Sequence, residues 1–305
     1  RRKSDDLNRL RRSAPASIQH LAVTAFVFWA LSAAALAQAP DAPLPAPEQP
    51  APEAPVPKPE MRSNCPGLVA TDRPRVTPAA FKVAELKADE VRLTFLGHST
   101  FVIASPQLVR IVTDYNDYLR PPVMPDIVTM NHAHDTHYTD TPDPAIKYVL
   151  RGWGPSPAEP ARHDLQYRDV RVHNVPTNIR DWGGGTERHG NSIFVFEIAN
   201  LCIGHLGHLH QTLTQQQLDE IGRLDVVLAP VDGHFTLDLD GMIEVLTALN
   251  APVIIPMHFF DPYTLDRFVR RAQEKWPVEV ANIPRIVISK ATLPKSPKVL
   301  VLPGH

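Results

Sequence analysis

Short apolar runs that stop at histidine restrict what this chain can fold into more than any other feature. "PDIVTMN" (125–131) leads straight into "HAHDTH" (132–137), "NLCIGH" (200–205) leads into "LGHLH" (206–210), and "APVIIPMH" (251–258) finishes on His258. Runs of this length, bounded by turn formers, read as buried strands. In α/β sheets the sites collect at strand C-terminal ends. Three separate strand ends that finish in histidine therefore require a sheet that gathers those ends at one edge. The chain has 14 histidines in 305 residues, and most lie between 98 and 258.

The surrounding pattern supports an α/β domain. "VRLTFLGH" (91–98), "STFVIAS" (99–105), "LVRIVTDY" (108–115), "DVRVHNV" (169–175) and "NSIFVFEI" (191–198) alternate or run apolar and read as strands. Strands and helices then alternate. "TQQQLDEIG" (214–222) begins with a capping-box pair, Thr214 and Gln217. "LDVVLAPV" (224–231) is a strand and "LDGMIEVLTALN" (239–250) a helix. "DPYTLDRFVRRAQEKW" (261–276) is a helix with Asp261 as N-cap and Pro262 at its first position. "PRIVISK" (284–290) and "PKVLVLP" (297–303) close the chain as strands.

The first residues do not join this domain. A basic leader, "RRKSDDLNRLRR", precedes the apolar run "LAVTAFVFWALSAAALA" (21–37), which ends on an A-x-A pattern. Together they read as a secretory signal spanning 1–37, cut near Ala37, with a single membrane anchor as the alternative. Residues 38–64 are rich in proline and alanine. Proline removes a backbone donor and fixes φ, so this segment reads as a disordered, extended linker. The folded domain is expected over 65–305. An exported chain would be periplasmic or secreted, with no membrane span once the leader is removed. In such a compartment Cys65 and Cys202 could pair or stay as separate thiols.

Charge argues against polyanion partners. Without residues 1–37 the chain carries 25 basic and 31 acidic side chains. A mildly acidic protein has no general attraction to nucleic acid or anionic lipid. The expected partner is a small-molecule substrate.

The cluster at 132–137 points to a metal. Residues two apart in an extended segment share a face, so His132 and His134 project together. A turn after Asp135 returns His137 beside them. Imidazoles so grouped suit zinc or another first-row ion such as Mn2+ or Fe2+, one or two in number.

"LTFLGHSTFVI", "VTDY", "NHAHDTH", "HLGHLHQTLT" with "DVVLAPVDG", and "IPMHFF" follow in an order that resembles the metallo-β-lactamase superfamily. The similarity is to its lactonase-like and phospholipase-D-like branch and covers about residues 88–260. The resemblance implies an αββα sandwich, two sheets face to face with helices outside and metal ions at one edge. It also implies a hydroxide that attacks an ester, lactone, amide or phosphodiester.

Three positions depart from that pattern. The family's H-x-H-x-D-H has Thr136 at its aspartate, with Asp135 one place early. His208 stands where a bridging aspartate is usual. "VPTNIRDWGGG" (175–185) lacks the family's histidine and offers Asn178 and, as a substitute ligand, Asp181. The expected ligands are His132, His134, His137, His208 and His258, with Asp135 as general base. Asp114 in "VTDY" is expected to hold an imidazole N–H, and His205 and His210 to flank the site. His98 is expected to be structural, and His189 a loop histidine. "WGGGTERHG" (182–190) lacks the lysine of a P-loop and reads as a mobile loop near the metal.

The expected function is an exported metal-dependent hydrolase. A non-catalytic metal- or ligand-binding descendant, or a closed structural metal site, are the alternatives.

Overall fold

In β1 (Val91–Gly97) every second side chain is buried, the period of a strand with one face in a core. The computed structural model describes residues 85–304, apart from 133, 157 and 182. The leader, the proline-rich linker and Cys65 lie outside the described residues, and so does a pairing of Cys65 with the half-buried Cys202. From β1 the chain turns through β2 (Thr100–Ala104), β3 (Arg110–Val112), β4 (Ile127–Met130) and β5 (Tyr148–Arg151). Next come β6 (Asp164–Tyr167), the long hairpin β7 (Val170–Arg180) and β8 (Thr186–Ile198), and β9 (Leu201–His205). The rest alternates as α1 (Gln215–Ile221), β10 (Val226–Pro230), α2 (Leu239–Leu249), β11 (Val253–Met257) and α3 (Pro262–Ala272). Strands β12 (Val278–Val280), β13 (Arg285–Ile288) and β14 (Lys298–Val301) follow.

Two sheets result. One has six strands in the order β13-β1-β2-β3-β4-β5, the other eight in the order β12-β14-β11-β10-β9-β8-β7-β6. In the larger sheet β9, β10, β11, β14 and β12 run parallel. Every residue of β10 and β11 is buried, as parallel strands covered on both faces must be. Leu93, Phe95, Phe101 and Ile103 from the smaller sheet meet Phe194, Phe196, Leu228 and Ile255 from the larger in one core between them. A second core, with Met242, Leu246 and Phe268, seats all three helices on the outer face of the larger sheet. The smaller sheet's outer face is covered by Tyr115, Ile146, Tyr138 and Trp153.

The helices start where the sequence places them. Thr214 and Gln217 form the full capping box of α1, and Asp261 caps α3 ahead of Pro262. Strands β5, β6 and β12 were not anticipated. Each is short, and neither β6 nor β12 has a fully buried residue, so neither has an apolar run to betray it. The glycine-rich segment also differs from the loop expected of it. Thr186–Gly190 belongs to β8 and pairs with β7, and Asp181 N donates to Gly185 O while Gly184 N donates to Asp181 O where the two strands join. His189 is therefore a strand residue, with φ 57°.

This topology decides where the site lies. The polypeptide leaves the C-terminal ends of β1, β4, β9, β10 and β11 at one edge of the sandwich. An isolated bridge, His132 to Asn191, and the bond from Ser192 N to Asn131 O join the two sheets there.

Candidate metal centre

Each strand end delivers a side chain. β1 delivers His98, β4 leads into His132, His134 and His137, β9 into His208 and His210, β10 into Asp232, and β11 into His258. His98, Asp114 and His258 all have left-handed backbone, φ 48°, 44° and 58°. Non-glycine residues held there cost on the order of 1–3 kcal/mol each, and such strain gathers at functional sites.

The innermost pair is His137 and His258. Their rings stack at 5.1 Å between centroids, with Nε2 facing Nε2 at 3.2 Å. Behind His137, Nδ1 lies 2.6 Å from Asp114 Oδ2; behind His258, Nδ1 lies 3.0 Å from Asp232 Oδ1. A carboxylate accepts, so each Nδ1 carries the hydrogen and each Nε2 presents a lone pair. Two lone pairs opposed at that distance repel unless a cation lies between them. Nitrogens bound ~2.0–2.1 Å from one tetrahedral zinc stand about 3.3 Å apart, so the pair fits. His98 completes a trio whose ligand atoms all lie within 4.8 Å, the one such group among the described residues. Its Nε2 is buried with no hydrogen-bond partner. His98, expected to be structural, thus stands at the centre.

His132 and His134 form the adjoining wall, rings stacked at 6.0 Å. His132 Nδ1 donates to Gly190 O at 2.7 Å, and His134 Nδ1 lies 3.1 Å from Asp135 Oδ1 and 3.2 Å from Thr136 Oγ1. Both rings therefore also offer Nε2. His208 stands edge-on to His137 and His258, at 4.8 and 4.9 Å. The cavity beside them holds ≈ 610 Å³ and is walled by His132, His134, His208, His258, Ile179 and Phe260, among others.

Burial governs the electrostatics. Burial, and then the neighbouring imidazoles, push His137 well below the ordinary histidine value and His208 below it too. His98 falls to about 3 and His210 to about 4, again mainly by burial. Burial raises Asp114. It would raise Asp232 as well, but bonds from His258, Thr236 and the backbone outweigh it and hold that carboxyl well below its usual range. Burial thus favours the neutral ring at His98, His132, His137, His208 and His210, the state in which an imidazole nitrogen can face a cation.

Several expected residues sit elsewhere. Asp135 is exposed, on the Nδ1 side of His134 and near Tyr118 Oη, so it can orient that ring but does not reach the cavity as a general base. Asp181 lies at the cavity wall, but it is exposed and its Oδ1 accepts from Gly183 N and Gly185 N, so it caps its own turn. Asn178 accepts from His189 N. His205 is fully buried and spends both nitrogens on structure. Nε2 donates to Ser99 O, and Nδ1 meets Asn131 and Gly207 N, which ties β9 to the turn after β1. His210 contacts His208 at 2.7 Å, and Asp114 lies 2.6 Å from His137 Nδ1. Sequence reasoning missed Asp232. Its signal was its place at the end of the β10 run, in "APVDG".

A two-sheet sandwich with carboxylate-backed imidazoles at one edge defines a metal-binding hydrolase-type fold. Residues 92–258 match the Beta-lactamase superfamily domain, and the chain belongs to that family, the metallo-β-lactamase superfamily. Two relatives are named UPF0173 metal-dependent hydrolases. The protein from Methanoculleus marisnigri is 27% identical, over 63% of this chain and 92% of its own. That from Nanoarchaeum equitans is 26% identical, over 61% and 93%. A crystal structure from Thermotoga maritima, assigned to the same superfamily, is 28% identical with a TM-score of 0.52. It covers 70% of this chain and 100% of its own. Among the described residues no helix is long and apolar enough to cross a membrane.

Proposed function

We propose that the chain is an exported metal-dependent hydrolase with one principal divalent ion, zinc being the best fit, held by His137, His258 and His98. The observation that carries this reading is the Nε2–Nε2 approach of 3.2 Å between two imidazoles whose Nδ1 atoms are held by buried carboxylates. His132 and His134 offer two further nitrogens without a carboxylate between them, which suits a second, weaker ion. A divalent ion in such a site supplies Lewis acidity and lowers the pKa of water toward neutrality.

The chain's own residues set the rest. Asp114 and Asp232 fix the two tautomers. Ile179, Phe235 and Phe260 form an apolar side of the cavity, with Phe235 and Phe260 edge-to-face at 5.5 Å. Arg180 is already committed to His210 and to two backbone carbonyls, while Asp181 and Glu187 add negative charge. A neutral ester or lactone with an apolar substituent therefore suits the cavity better than an anionic phosphodiester. Export rests on the leader and proline-rich linker.

The test is metal analysis and turnover. The purified chain should hold zinc, lose it on His98→Ala/His137→Ala/His258→Ala replacement, and hydrolyse apolar esters or lactones in a chelator-sensitive, zinc-restored way. Negligible metal, or metal unchanged by the triple replacement, refutes the site. Tight zinc without turnover on any substrate class favours the non-catalytic reading, which the position of Asp135 away from the cavity supports.

A further inference from the structure

Hydrogen bonds around His208 run opposite to those around the other site histidines. His132, His134, His137 and His258 all have Nδ1 against an acceptor and so leave Nε2 as a lone pair. His208 is the end of a chain that begins at Arg180. The Arg180 backbone N and side-chain Nε both point at His210 Nδ1, at 3.1 and 3.2 Å. Both are obligate donors, so His210 Nδ1 accepts, and the neutral ring carries its hydrogen on Nε2. That Nε2 lies 2.7 Å from His208 Nδ1 and donates to it. His208 Nδ1 is therefore an acceptor, and its hydrogen sits on Nε2.

An imidazole nitrogen that bears hydrogen has no lone pair for a metal. The chain of bonds is also held in place. Arg180 Nη2 donates to His234 O and Thr236 O, at 3.0 and 2.7 Å, and His208 N donates to Asn191 Oδ1 at 2.9 Å. With Nδ1 taken by His210, Nε2–H is the nitrogen His208 has left for the cavity it lines.

We infer that His208 does not ligate the ion but donates a hydrogen bond from Nε2 to the substrate, with His210 and Arg180 as positioning residues. The expected ligand at this position is thereby replaced by a donor. An oxygen of a carbonyl or phosphoryl group that gains negative charge beside the ion is what such a donor stabilises. The donor role rests on the hydrolase reading above; the tautomer does not.

The two are tested separately. In the full chain labelled with 15N-histidine, long-range 1H–15N spectra should show His208 and His210 protonated at Nε2, both without metal and after zinc is added. His137 and His258 should be protonated at Nδ1 and shift at Nε2 on zinc addition. A zinc-induced shift at His208 Nε2, or an Nδ1-protonated His208, overturns the inference whatever the activity. With the substrate found above, His208→Ala should keep zinc affinity within about threefold while kcat falls ~10²–10³-fold. His208→Gln, which restores an N–H, should recover part of that loss. A zinc affinity that drops tenfold or more in His208→Ala also overturns it. Loss of hydrolysis in the unaltered chain, with the spectra as expected, would sink the hydrolase reading and leave the tautomer standing.

Discussion

Replacing Asp232 with asparagine should damage metal binding more than replacing it with alanine, although asparagine is nearly the same shape. Asp232 accepts five hydrogen bonds. Oδ2 takes the backbone N–H groups of His234, Phe235 and Thr236, and Oδ1 takes Thr236 Oγ1 and His258 Nδ1. Asparagine has one acceptor oxygen and one NH2. If its oxygen keeps the three backbone donors, the NH2 faces His258. The imidazole must then accept at Nδ1, move its hydrogen to Nε2 and lose the lone pair that faces His137. If the oxygen keeps His258 instead, the NH2 is driven against three buried donors at about 1–3 kcal/mol for each group left unpaired. The first arrangement costs less, because the Thr236 hydroxyl can turn to accept from the NH2 and only the His258 ring must change tautomer, whereas three backbone N–H groups cannot accept. Loss of an orienting partner behind a metal-binding histidine weakens metal affinity ~10–100-fold. That is about 1.4–2.8 kcal/mol at 1.4 kcal/mol per tenfold. Asp232→Ala leaves His258 free to keep Nδ1–H, so its loss should be smaller. Competition of each variant with a chromophoric chelator for zinc reads the affinities, and urea denaturation reads fold stability. Asparagine binding zinc within about threefold of the unaltered chain, in a protein of native stability, would refute the assignment of Asp232 as the group that orients His258.

Gly207 has φ 62°, and a methyl group there would sit 2.5 Å from both Asn131 Nδ2 and Asn191 Oδ1. Gly207→Ala should therefore lower stability by about 1–3 kcal/mol in urea titrations, and displace the Asn191 side chain that holds His208 N. Burial depresses the pKa of His205, so the folded state binds fewer protons there than the unfolded state below pH ~6.5. Stability is then complete above that pH and falls as pH drops through it, by up to about 1.4 kcal/mol per pH unit for one such histidine. Urea midpoints at pH 7.5 and 5.5 should show this fall, and His205→Gln, which removes the titrating ring, should show a shallower one.

Much of this could be read from the chain itself. The period of "VRLTFL", the apolar runs at β10 and β11 and the capping pairs at Thr214 and Asp261 each fix a local conformation through burial or a local hydrogen bond. Residues 132–137 are also local, so their grouping was legible as a metal-binding pattern. β6 and β12 were not, because an exposed strand has no apolar stripe and exists only through its neighbours. His205 and His208 lie three positions apart in one histidine-rich run, yet one is fully buried with both nitrogens spent and the other lines the cavity. Nothing in their spacing separates those fates.

Strand periodicity and the residues at strand ends, properties of contiguous segments, determined an α/β domain with its site at strand C-terminal ends; the two-sheet sandwich was implied only by the order of motifs that resembles the metallo-β-lactamase superfamily. Tertiary structure decided which nitrogens are available. Asp232 behind His258, Asp114 behind His137 and Arg180 behind His210 are partners 23 to 30 residues apart, from different elements. The side of an imidazole that carries its hydrogen depends on what lies opposite the other nitrogen, and that is settled only when distant strands meet.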